Sequence, residues 1–397
     1  MEVSVLKRIL HRTTALAVLL ILLLLCACGT RQEPVESTQE PVGDSVITVN
    51  AVGDIYLTDE MLSDAIKPDG TYDFMSQFSD VYACLSKADL TIGNFEGTFA
   101  GEPYGPAEGS YPDELAAALN DAGFDLLQTA NSYSVYNGLA GLQRTKRVIE
   151  NNGMQTMGTY SSQQDKQNNQ VACLELDGIR VAVIAMTKGL GGMSLPADDR
   201  YCVDLLYSDY DTDYEQIDEA GILSVIQAAE ALEPDIIIAC LHWGSENVSE
   251  VSSTQEKIAD LMFHNGVDVI LGAHSHLVGE VESRTVRLED GTRKNVLIAY
   301  SLGDFCRVGR GENNLSPILN MEFTKNGSTG QTTLTDYSVS SVVSMDRGSG
   351  EIDRYAVMDA DSLITLYEAN YYDRISKDLY NSLLSKRERL LEKMGLE

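Results

Sequence analysis

The sequence predicts an α/β fold in which mixed β-sheets are covered by helices. Three observations support this prediction. Short β-rich runs alternate with amphipathic stretches along most of the chain. Several of these runs end in glycine and a polar residue, as at Gly53-Asp54, and two Asp-Gly turns each separate a pair of β-rich runs. With 397 residues, of which 44% are hydrophobic, the chain can bury a large core.

The first half of the chain predicts strands that alternate with helices. Residues 45–52 are rich in valine and isoleucine and run into Gly53-Asp54, which predicts a core strand ending in a tight turn. Strand, helix and strand units of this kind place parallel strands in one sheet. In chain order we expect a strand over 45–52, a helix over about 74–87, a strand over 88–92, a helix over 112–122, a strand over 124–129 and a helix over 139–152.

The second half adds two hairpins and further strands. The turns are Asp177-Gly178 and Glu289-Asp290-Gly291, each between two β-rich runs. The strand-like segments 318–323 and 338–344 predict the antiparallel second half of a two-sheet sandwich. In chain order we expect strands over 171–176 and 179–186, an acidic loop and helix over 209–232, a strand over 235–241, a helix over 254–264, strands over 267–271, 280–288 and 294–300, and a mostly helical segment over 361–394.

Residues 1–27 have the pattern of a secretory signal peptide. A basic segment over 7–12 precedes an apolar segment over 13–25. The sequence Leu25-Cys-Ala-Cys28-Gly then resembles a bacterial lipoprotein signal, which implies acylation of Cys28 and attachment to membrane lipid. The alternatives are an ordinary signal peptide and an uncleaved anchor. The lipoprotein interpretation places the protein on the extracytoplasmic face of the bacterial cell membrane.

Composition divides the remainder of the chain into three parts. Residues 28–44 are rich in Gln, Glu, Pro, Ser and Thr, which predicts a disordered tether. Residues 45–345 carry the strands and form the predicted domain, and residues 346–397 form a mostly helical C-terminal extension. We assign no chemistry to that extension from its sequence.

The charge of the chain limits its partners. The formal net charge is −31 at pH 7, from 60 acidic and 29 basic residues. We therefore expect no binding to nucleic acid, because phosphate contacts require Lys and Arg. An anionic polymer as partner would need local positive charge, which bound divalent metal ions could supply.

Three of the five histidines follow predicted core strands. His242 comes directly after the strand over 235–241, and His274 and His276 follow the strand over 267–271. Side chains two apart on an extended segment point the same way, so both rings of the second pair are expected to face one ligand. Imidazole suits Zn, Mn and Fe, which makes these histidines candidate metal ligands. A structural, hydrogen-bonded histidine is the alternative for each.

Other polar residues lie at the ends of neighbouring predicted strands. Because carboxyl ends of parallel strands meet at one edge of a sheet, we expect these side chains to lie near the histidines. Oxygen and imidazole ligands from separate strands suit a hydrolytic centre with one or two divalent metal ions. The alternative is that they stabilise turns or cap helices. The full set is Asp54, Asn94, Glu96, Asn131, His242, Glu246, His274 and His276.

The order of these motifs resembles the CapA family of capsule and poly-γ-glutamate synthesis proteins, over about residues 46–306. That family is similar to the calcineurin-like metallophosphoesterases, which implies a four-layer α/β/β/α sandwich. The resemblance implies Asp54, Glu96, His242, His274 and His276 as metal ligands. The matching segments are Gly53-Asp54-Ile, Gly93-Asn-Phe-Glu96, Ala130-Asn131, His242-Trp-Gly-Ser-Glu246, Gly272-Ala-His274-Ser-His276 and Tyr300-Ser-Leu-Gly-Asp304-Phe.

One segment departs from the family pattern. Where the family has Ala-Asn-Asn-His, this chain has Ala130-Asn131-Ser132-Tyr133. Serine is a poorer metal ligand than asparagine, although Asn131 could replace it after a small shift in register. A phenol with a pKa of about 10 is a poor proton donor at neutral pH, so Tyr133 or Glu246 would have to act as the acid.

Two hypotheses follow. The first is a lipid-anchored CapA-like protein for synthesis, export or anchoring of an anionic capsule polymer, with a metal-dependent phosphoesterase-like site. The second is a non-catalytic polymer-binding or assembly component that retains the fold.

Overall fold

Two mixed β-sheets form the centre of the fold in the computed structural model, which describes residues 43–288, 290–307, 315–348, 354–373 and 375–396. In chain order the strands are β1 (Ser45–Ile55), β2 (Leu90–Phe95), β3 (Leu126–Gln128), β4 (Gln155–Met157), β5 (Ala172–Leu176), β6 (Ile179–Thr187), β7 (Ile236–His242), β8 (Val269–Ala273), β9 (Val281–Arg287), β10 (Arg293–Ala299), β11 (Asp304–Cys306), β12 (Leu315–Lys325), β13 (Thr332–Asp346) and β14 (Tyr355–Asp359).

The helices connect these strands or follow the last of them. In chain order they are α1 (Asp59–Asp64), α2 (Met75–Phe78), α3 (Tyr82–Leu85), α4 (Glu114–Ala122), α5 (Gly138–Asn151), α6 (Gln163–Asn169), α7 (Glu219–Glu230), α8 (Ser253–His264), α9 (Ala360–Glu368) and α10 (Lys377–Met394). Short 3₁₀ turns cover Ser79–Val81 and Ala197–Cys202. Among the helices in the described ranges, none is long and apolar enough to cross a membrane.

The first sheet has the strand order β14-β13-β12-β1-β2-β3-β4, with β11 beside β1, and the second has the order β5-β6-β7-β8-β10-β9. In the first sheet, β1 to β4 are parallel and β12 to β14 are antiparallel. In the second sheet, β6, β7, β8 and β10 are parallel, with the antiparallel strands β5 and β9 at the two edges. Both sheets are therefore mixed, as the sequence predicted.

Three buried clusters separate the layers. Alternate residues of β6 show the pattern, since Val181 and Val183 belong to the central cluster between the sheets while Ala182 and Ile184 pack under α7 and α8. A third cluster fills the space between the first sheet and α1, α4 and α5. This order of layers is the α/β/β/α sandwich that the resemblance implied.

Two expectations about elements were wrong. The predicted helix over 74–87 is broken into α2, a 3₁₀ turn and α3, which together bury Phe78, Val81 and Leu85 against the first sheet. The segments around 318–323 and 338–344 do form antiparallel strands, but they extend the first sheet because β12 pairs along the length of β1. The second sheet is formed instead by β5 to β10.

The C-terminal helices join the central cluster instead of the outer layers. Leu383, Leu390 and Met394 of α10 are buried together with Leu319 of β12. The structure thus places α10 beside the first sheet, next to the strands that carry the site. The predicted signal peptide, Cys28 and all but the last two residues of the predicted tether lie outside the described residues.

Candidate metal centre

The predicted ligands meet at one edge of the sandwich. Asp54 lies at the end of β1 and Glu96 follows β2, while His242 ends β7 and His274 follows β8. These four strands are parallel within their own sheets, so their carboxyl ends share an edge. Because the two sheets face each other, carboxylates from one sheet meet imidazoles from the other.

Close backbone packing at this edge requires glycine. A Cβ atom on Gly53 would lie 1.8 Å from the carbonyl oxygen of Gly303, and one on Gly272 would lie 2.0 Å from that of Tyr300. The Asp54 N–H donates to the same Gly303 oxygen at 2.7 Å. These contacts hold the loop before β11 against β1 and so fix the backbone of the site.

The first donor group consists of Glu96, His242 and His274, all buried, with one donor atom from each within 4.8 Å of the others. The Nε2 atom of His242 lies 2.6 Å from Oε1 of Glu96. The centroids of the two imidazole rings are 4.3 Å apart. Nitrogen and oxygen donors at this spacing match the ligands that Zn²⁺ and related ions prefer.

Thr187 determines which nitrogen of His242 faces this group. Its hydroxyl donates to the carbonyl of Gly189 at 2.9 Å, and it lies 3.1 Å from Nδ1 of His242. The hydroxyl therefore accepts a hydrogen bond from the Nδ1–H group of His242, which leaves the Nε2 lone pair directed at Glu96. A lone pair that faces a carboxylate oxygen requires a proton or a metal ion between them.

The second donor group consists of Asp54, Glu96 and His276. The His276 Nε2 atom lies 3.6 Å from Oε2 of Glu96, and its Nδ1 atom lies 2.7 Å from Oδ1 of Asp304. Asp54 is held in turn by Asn94, whose amide donates to its Oδ1 at 2.7 Å. Glu96 belongs to both groups, with its Oε1 atom towards His242 and its Oε2 atom towards His276.

The environment shifts the pKa values of the three histidines in opposite directions. Burial lowers the pKa of His242 to about 3 and that of His274 to about 2, so both are neutral at physiological pH. Burial alone would also lower the pKa of His276, but the hydrogen-bonded carboxylate of Asp304 and the neighbouring carboxylate of Asp54 outweigh this effect and raise its pKa to about 11. Burial, and then the charge of Asp54, raise the pKa of Glu96 well above its usual range.

These residues fit divalent metal ions. Among the described residues, Asp54 Oδ2 is buried without a well-formed hydrogen bond, since His276 Nδ1, 3.3 Å away, is directed at Asp304. Glu96, the other carboxylate of the site, is buried beside Asp54. Two buried carboxylates and the lone pairs of the neutral imidazoles of His242 and His274 are donors that suit a divalent cation.

The segment that carries His274 and His276 differs from the expectation. It is not extended, because the φ angles of these two residues are 100° and 57°. Ser275 lies between them and donates to the carbonyl of Leu277 at 2.9 Å. The two imidazoles therefore serve different donor groups around Glu96, and do not point the same way from one strand.

The remaining predicted residues take other positions. Asn131 is buried, and its amide donates to Asn94 Oδ1 at 3.1 Å while its Oδ1 accepts the N–H of Tyr133 at 3.0 Å. It thus positions the residue that holds Asp54. Tyr133 is half-buried, and burial and then Tyr56 raise its pKa further above the usual value.

Glu246 is exposed, in the turn after β7. The N–H of its neighbour Asn247 donates to the carbonyl of Ser275 at 2.9 Å, which ties this turn to the loop carrying His274 and His276. The carboxylate is near enough to contribute to the raised pKa of Glu96 but belongs to neither donor group.

A family model described as "Bacterial capsule synthesis protein PGA_cap" matches residues 48–307. The chain belongs to this family. It is 25% identical over 266 residues to the capsule biosynthesis protein CapA of Bacillus anthracis, covering 65% of this chain and 59% of that protein. It is 23% identical over 284 residues to the PGA biosynthesis protein CapA of Bacillus subtilis, covering 66% of this chain and 63% of that protein. The matches thus span less than two thirds of either relative.

Solved structures with a similar fold include a putative 5'-nucleotidase from Staphylococcus aureus, with a TM-score of 0.46 and 15% identity over 78% of this chain and 57% of that one. A phosphatase from Mycoplasma pneumoniae matches with a TM-score of 0.42 and 13% identity over 75% of this chain and 94% of that one. Both TM-scores are below 0.5, and the α/β/β/α fold is defined by the two sheets and the buried clusters between the layers.

Two residues of this family member were missed as parts of the site. Asp304 orients His276, and Thr187 orients His242. A pattern for Asp304 was present, because Gly303-Asp304 repeats Gly53-Asp54 and the two aspartates pair in parallel register. Thr187 ends a strand without any such pattern, and only the pairing of β6 with β7 places it opposite His242.

Proposed function

We propose that this protein is a metal-dependent phosphoester hydrolase that acts on a capsule polymer or its precursor outside the cell. The observation that carries the proposal is Glu96, a buried carboxylate shared by two donor groups of histidine and aspartate. One or two ions of Mn, Fe or Zn suit these donors. The names of the two Bacillus relatives support capsule or poly-γ-glutamate synthesis as the process.

Each group of the site has a distinct role in this proposal. His242, His274 and Glu96 would hold one ion, while Asp54, His276 and Glu96 would hold the other. Such ions supply a Lewis acid for a phosphoryl oxygen and a nucleophile at neutral pH. Thr187, Asp304 and Asn94 keep the donor atoms directed inwards, which preserves the geometry as a substrate enters.

The leaving group determines how well this site works. Tyr133 stands where the family has histidine, and its raised pKa makes it a poor proton donor. We therefore expect fast hydrolysis of nitrophenyl esters, which need little protonation, and slow hydrolysis of alkyl phosphates.

The test compares these two kinds of ester in metal-loaded wild type and in the double variant Ser132→Asn, Tyr133→His. The double variant should raise the rate on alkyl phosphates by roughly 10²–10⁴ and leave nitrophenyl esters nearly unchanged. Tyr136→His is the matched control, because its ring lies 5.4 Å from that of Tyr133 and is exposed. Fast alkyl ester hydrolysis by wild type would contradict the assignment and point to another acid, such as Glu246.

The second candidate is a component that binds the polymer without hydrolysing it. The observation in its favour is the same tyrosine, because the chain keeps all five ligands that the resemblance implies but not the proton donor. Metal-loaded wild type and double variant that are both inert on every ester would favour this candidate.

The proposal also places the protein on the extracytoplasmic face of the cell membrane, anchored to lipid through acylated Cys28. The support is the Leu25-Cys-Ala-Cys28-Gly sequence and the polar segment that follows it. Cys28→Ala should leave the precursor unprocessed or release the protein from the membrane fraction. A variant that fractionates and migrates like wild type would contradict lipidation.

A further inference from the structure

Lys188 lies at the edge of the sandwich that carries the candidate metal centre. It follows Thr187 at the end of β6, and its backbone N–H donates to the carbonyl of His242 at 2.8 Å. Its ammonium donates to the carbonyl of Gly244 at 2.6 Å and lies 4.5 Å from the centre of the Tyr214 ring. The side chain therefore follows the loop after β7, which starts from the candidate ligand His242.

The half-buried ammonium of Lys188 contacts a neutral carbonyl and a neutral ring, and it forms no ion pair within the described part of the chain. The charge of Glu246 acts on it without forming such a pair. Other lysines of restricted exposure each lie 2.9 Å or less from a carboxylate oxygen, namely Lys146, Lys166, Lys294 and Lys325. In a chain with 60 acidic and 29 basic residues, this difference indicates that the charge of Lys188 serves something other than an internal ion pair.

The charge of Lys188 reaches both histidines of the first donor group. Burial is the main cause of the lowered pKa of His242 and His274, and the positive charge of Lys188 lowers both further. The loop that Lys188 begins also contacts the segment that departs from the family pattern, because a Cβ atom on Gly191 would lie 3.1 Å from the carbonyl oxygen of Ser132. This loop therefore borders the first donor group at one end and residues 130–133 at the other.

The ammonium of Lys188 can bind an anion without losing its present contacts. It has three N–H donors, of which one bonds to Gly244, and the described residues offer the other two no acceptor. A lysine ammonium is a compact charge on a flexible stem, and its hydrogen bonds to phosphate oxygens are short and strong. Two donors of this kind beside the candidate metal ligands suit an oxyanion that enters the site.

We propose that Lys188 is a substrate-binding residue, whose ammonium donates to a non-bridging oxygen of the phosphoryl group at the metal centre. The inference rests on the proposed function, since it adds a residue to the same site. Lys188 lies outside the motifs that carry the family resemblance, so only the fold brings it to this position. The alternative is that Lys188 merely ties the loop after β6 to the loop after β7.

The test measures binding of inorganic phosphate to the full chain loaded with Mn²⁺, by isothermal titration calorimetry. Lys188→Met removes the charge and keeps an unbranched side chain, while Lys188→Arg keeps the charge. Lys87→Met is the matched control, because Lys87 is exposed and precedes β2, at the opposite end of that strand from Glu96. Elemental analysis and far-UV circular dichroism measure the metal content and folding of each variant.

Lys188→Met should keep its metal and bind phosphate about 10- to 100-fold more weakly than wild type, which is the effect expected from loss of a charge-assisted hydrogen bond. Lys188→Arg should bind phosphate more tightly than Lys188→Met, because it retains the positive charge. A residue that only tied two loops together would not show this dependence on charge. Lys87→Met should match wild type.

Equal phosphate affinity in metal-loaded wild type and Lys188→Met, including no binding by either, would overturn the proposal. Loss of metal together with phosphate affinity in Lys188→Met would also overturn it, since Lys188 would then support the metal centre itself. Hydrolysis of nitrophenyl phosphate separates these outcomes from failure of the proposed function. A wild type that hydrolyses no ester but binds phosphate through Lys188 would reject the hydrolase and retain the binding residue.

Discussion

The two donor groups share Glu96 but are built in opposite ways. His242 and His274 are buried, and burial keeps them neutral. His276 is more accessible, with 12% of its side chain exposed, and is held by the carboxylates Asp304 and Asp54. One group therefore presents lone pairs in the buried interior, whereas the other lies next to a cavity that residues of α10 also line.

This difference indicates that the two donor groups bind metal with different strength. In the first donor group, the inner group, His242 and His274 are neutral, so neither ligand nitrogen has to lose a proton when an ion binds. In the second donor group, the outer group, His276 carries a proton that must be removed when metal binds. We therefore expect an ion at the inner group to be held more tightly and an ion at the outer group to exchange more readily.

The largest expected effect comes from removing the residue that both groups share. Glu96→Gln keeps the size of the side chain but removes the charge that would balance two ions. Because a residue that binds the ion directly matters more than one that only orients a ligand, affinity for both ions should fall by at least about 100-fold. Elemental analysis after dialysis measures this loss, and retention of one full equivalent would contradict the bridging role.

The next comparison separates the two groups. His274→Ala should remove the inner ion and His276→Ala the outer one, so each variant should lose about one equivalent of metal while the other remains. His264→Ala is the control, because that histidine is exposed on α8 and its Nδ1 bonds to the carbonyl of Asp260. Complete loss of metal in both variants would mean that Glu96 and the histidines hold one ion together.

Much of the fold was predictable because local patterns determine it. The turn at Asp177-Gly178 predicted β5 and β6 to within a residue, because β5 ends and β6 begins at that turn. Alternation identified β12 and β13 as strands but not their neighbours, because sheet membership depends on pairing with β1 far away in the chain. The break near Ser79 escaped prediction for the same reason, since packing on the first sheet sets it.

The residues of the site that lie at the ends of parallel strands could be predicted from the sequence. The direction of the side chains in the loop after β8 could not. The rule that parallel strands end together brought Asp54, Glu96 and His242 into one set. The assignment of His274 and His276 to different groups depends on two left-handed backbone conformations that no spacing rule gives. The position of α10 against β12 depends on packing that its charged sequence does not reveal.

A smaller effect should follow from the residues behind the ligands. Thr187→Val removes the hydroxyl that orients His242, and Asp304→Asn removes the charge that orients His276. Loss of such partners weakens metal binding by about 10- to 100-fold. We expect Thr187→Val to lower the affinity of the inner group for metal and Asp304→Asn to lower that of the outer group. Metal titration measures both affinities. If both variants lower the affinity for the same ion, the two donor groups do not bind metal independently.

A last effect concerns the stability of the metal-free protein at alkaline pH. The pKa of His276 is about 11 in the folded state and has its usual value of about 6.5 in the unfolded state. Between these values the folded protein retains a proton that the unfolded chain releases. The free energy of unfolding should therefore decrease as pH rises through this window, by at most about 1.4 kcal/mol per pH unit.

The inner histidines do not disturb this measurement. Their pKa values are about 3 and 2, so His242 and His274 make stability rise with pH only up to about 6.5 and are neutral in both states above it. Urea unfolding of the chelated protein at about pH 7 and about pH 9 should show the decrease in wild type and a flatter response in His276→Gln. With metal bound the decrease should disappear from wild type, because ligation requires His276 to be deprotonated at both pH values. Identical slopes in chelated wild type and variant would show that Asp304 and Asp54 do not hold the proton on His276, which removes the contrast between the two groups.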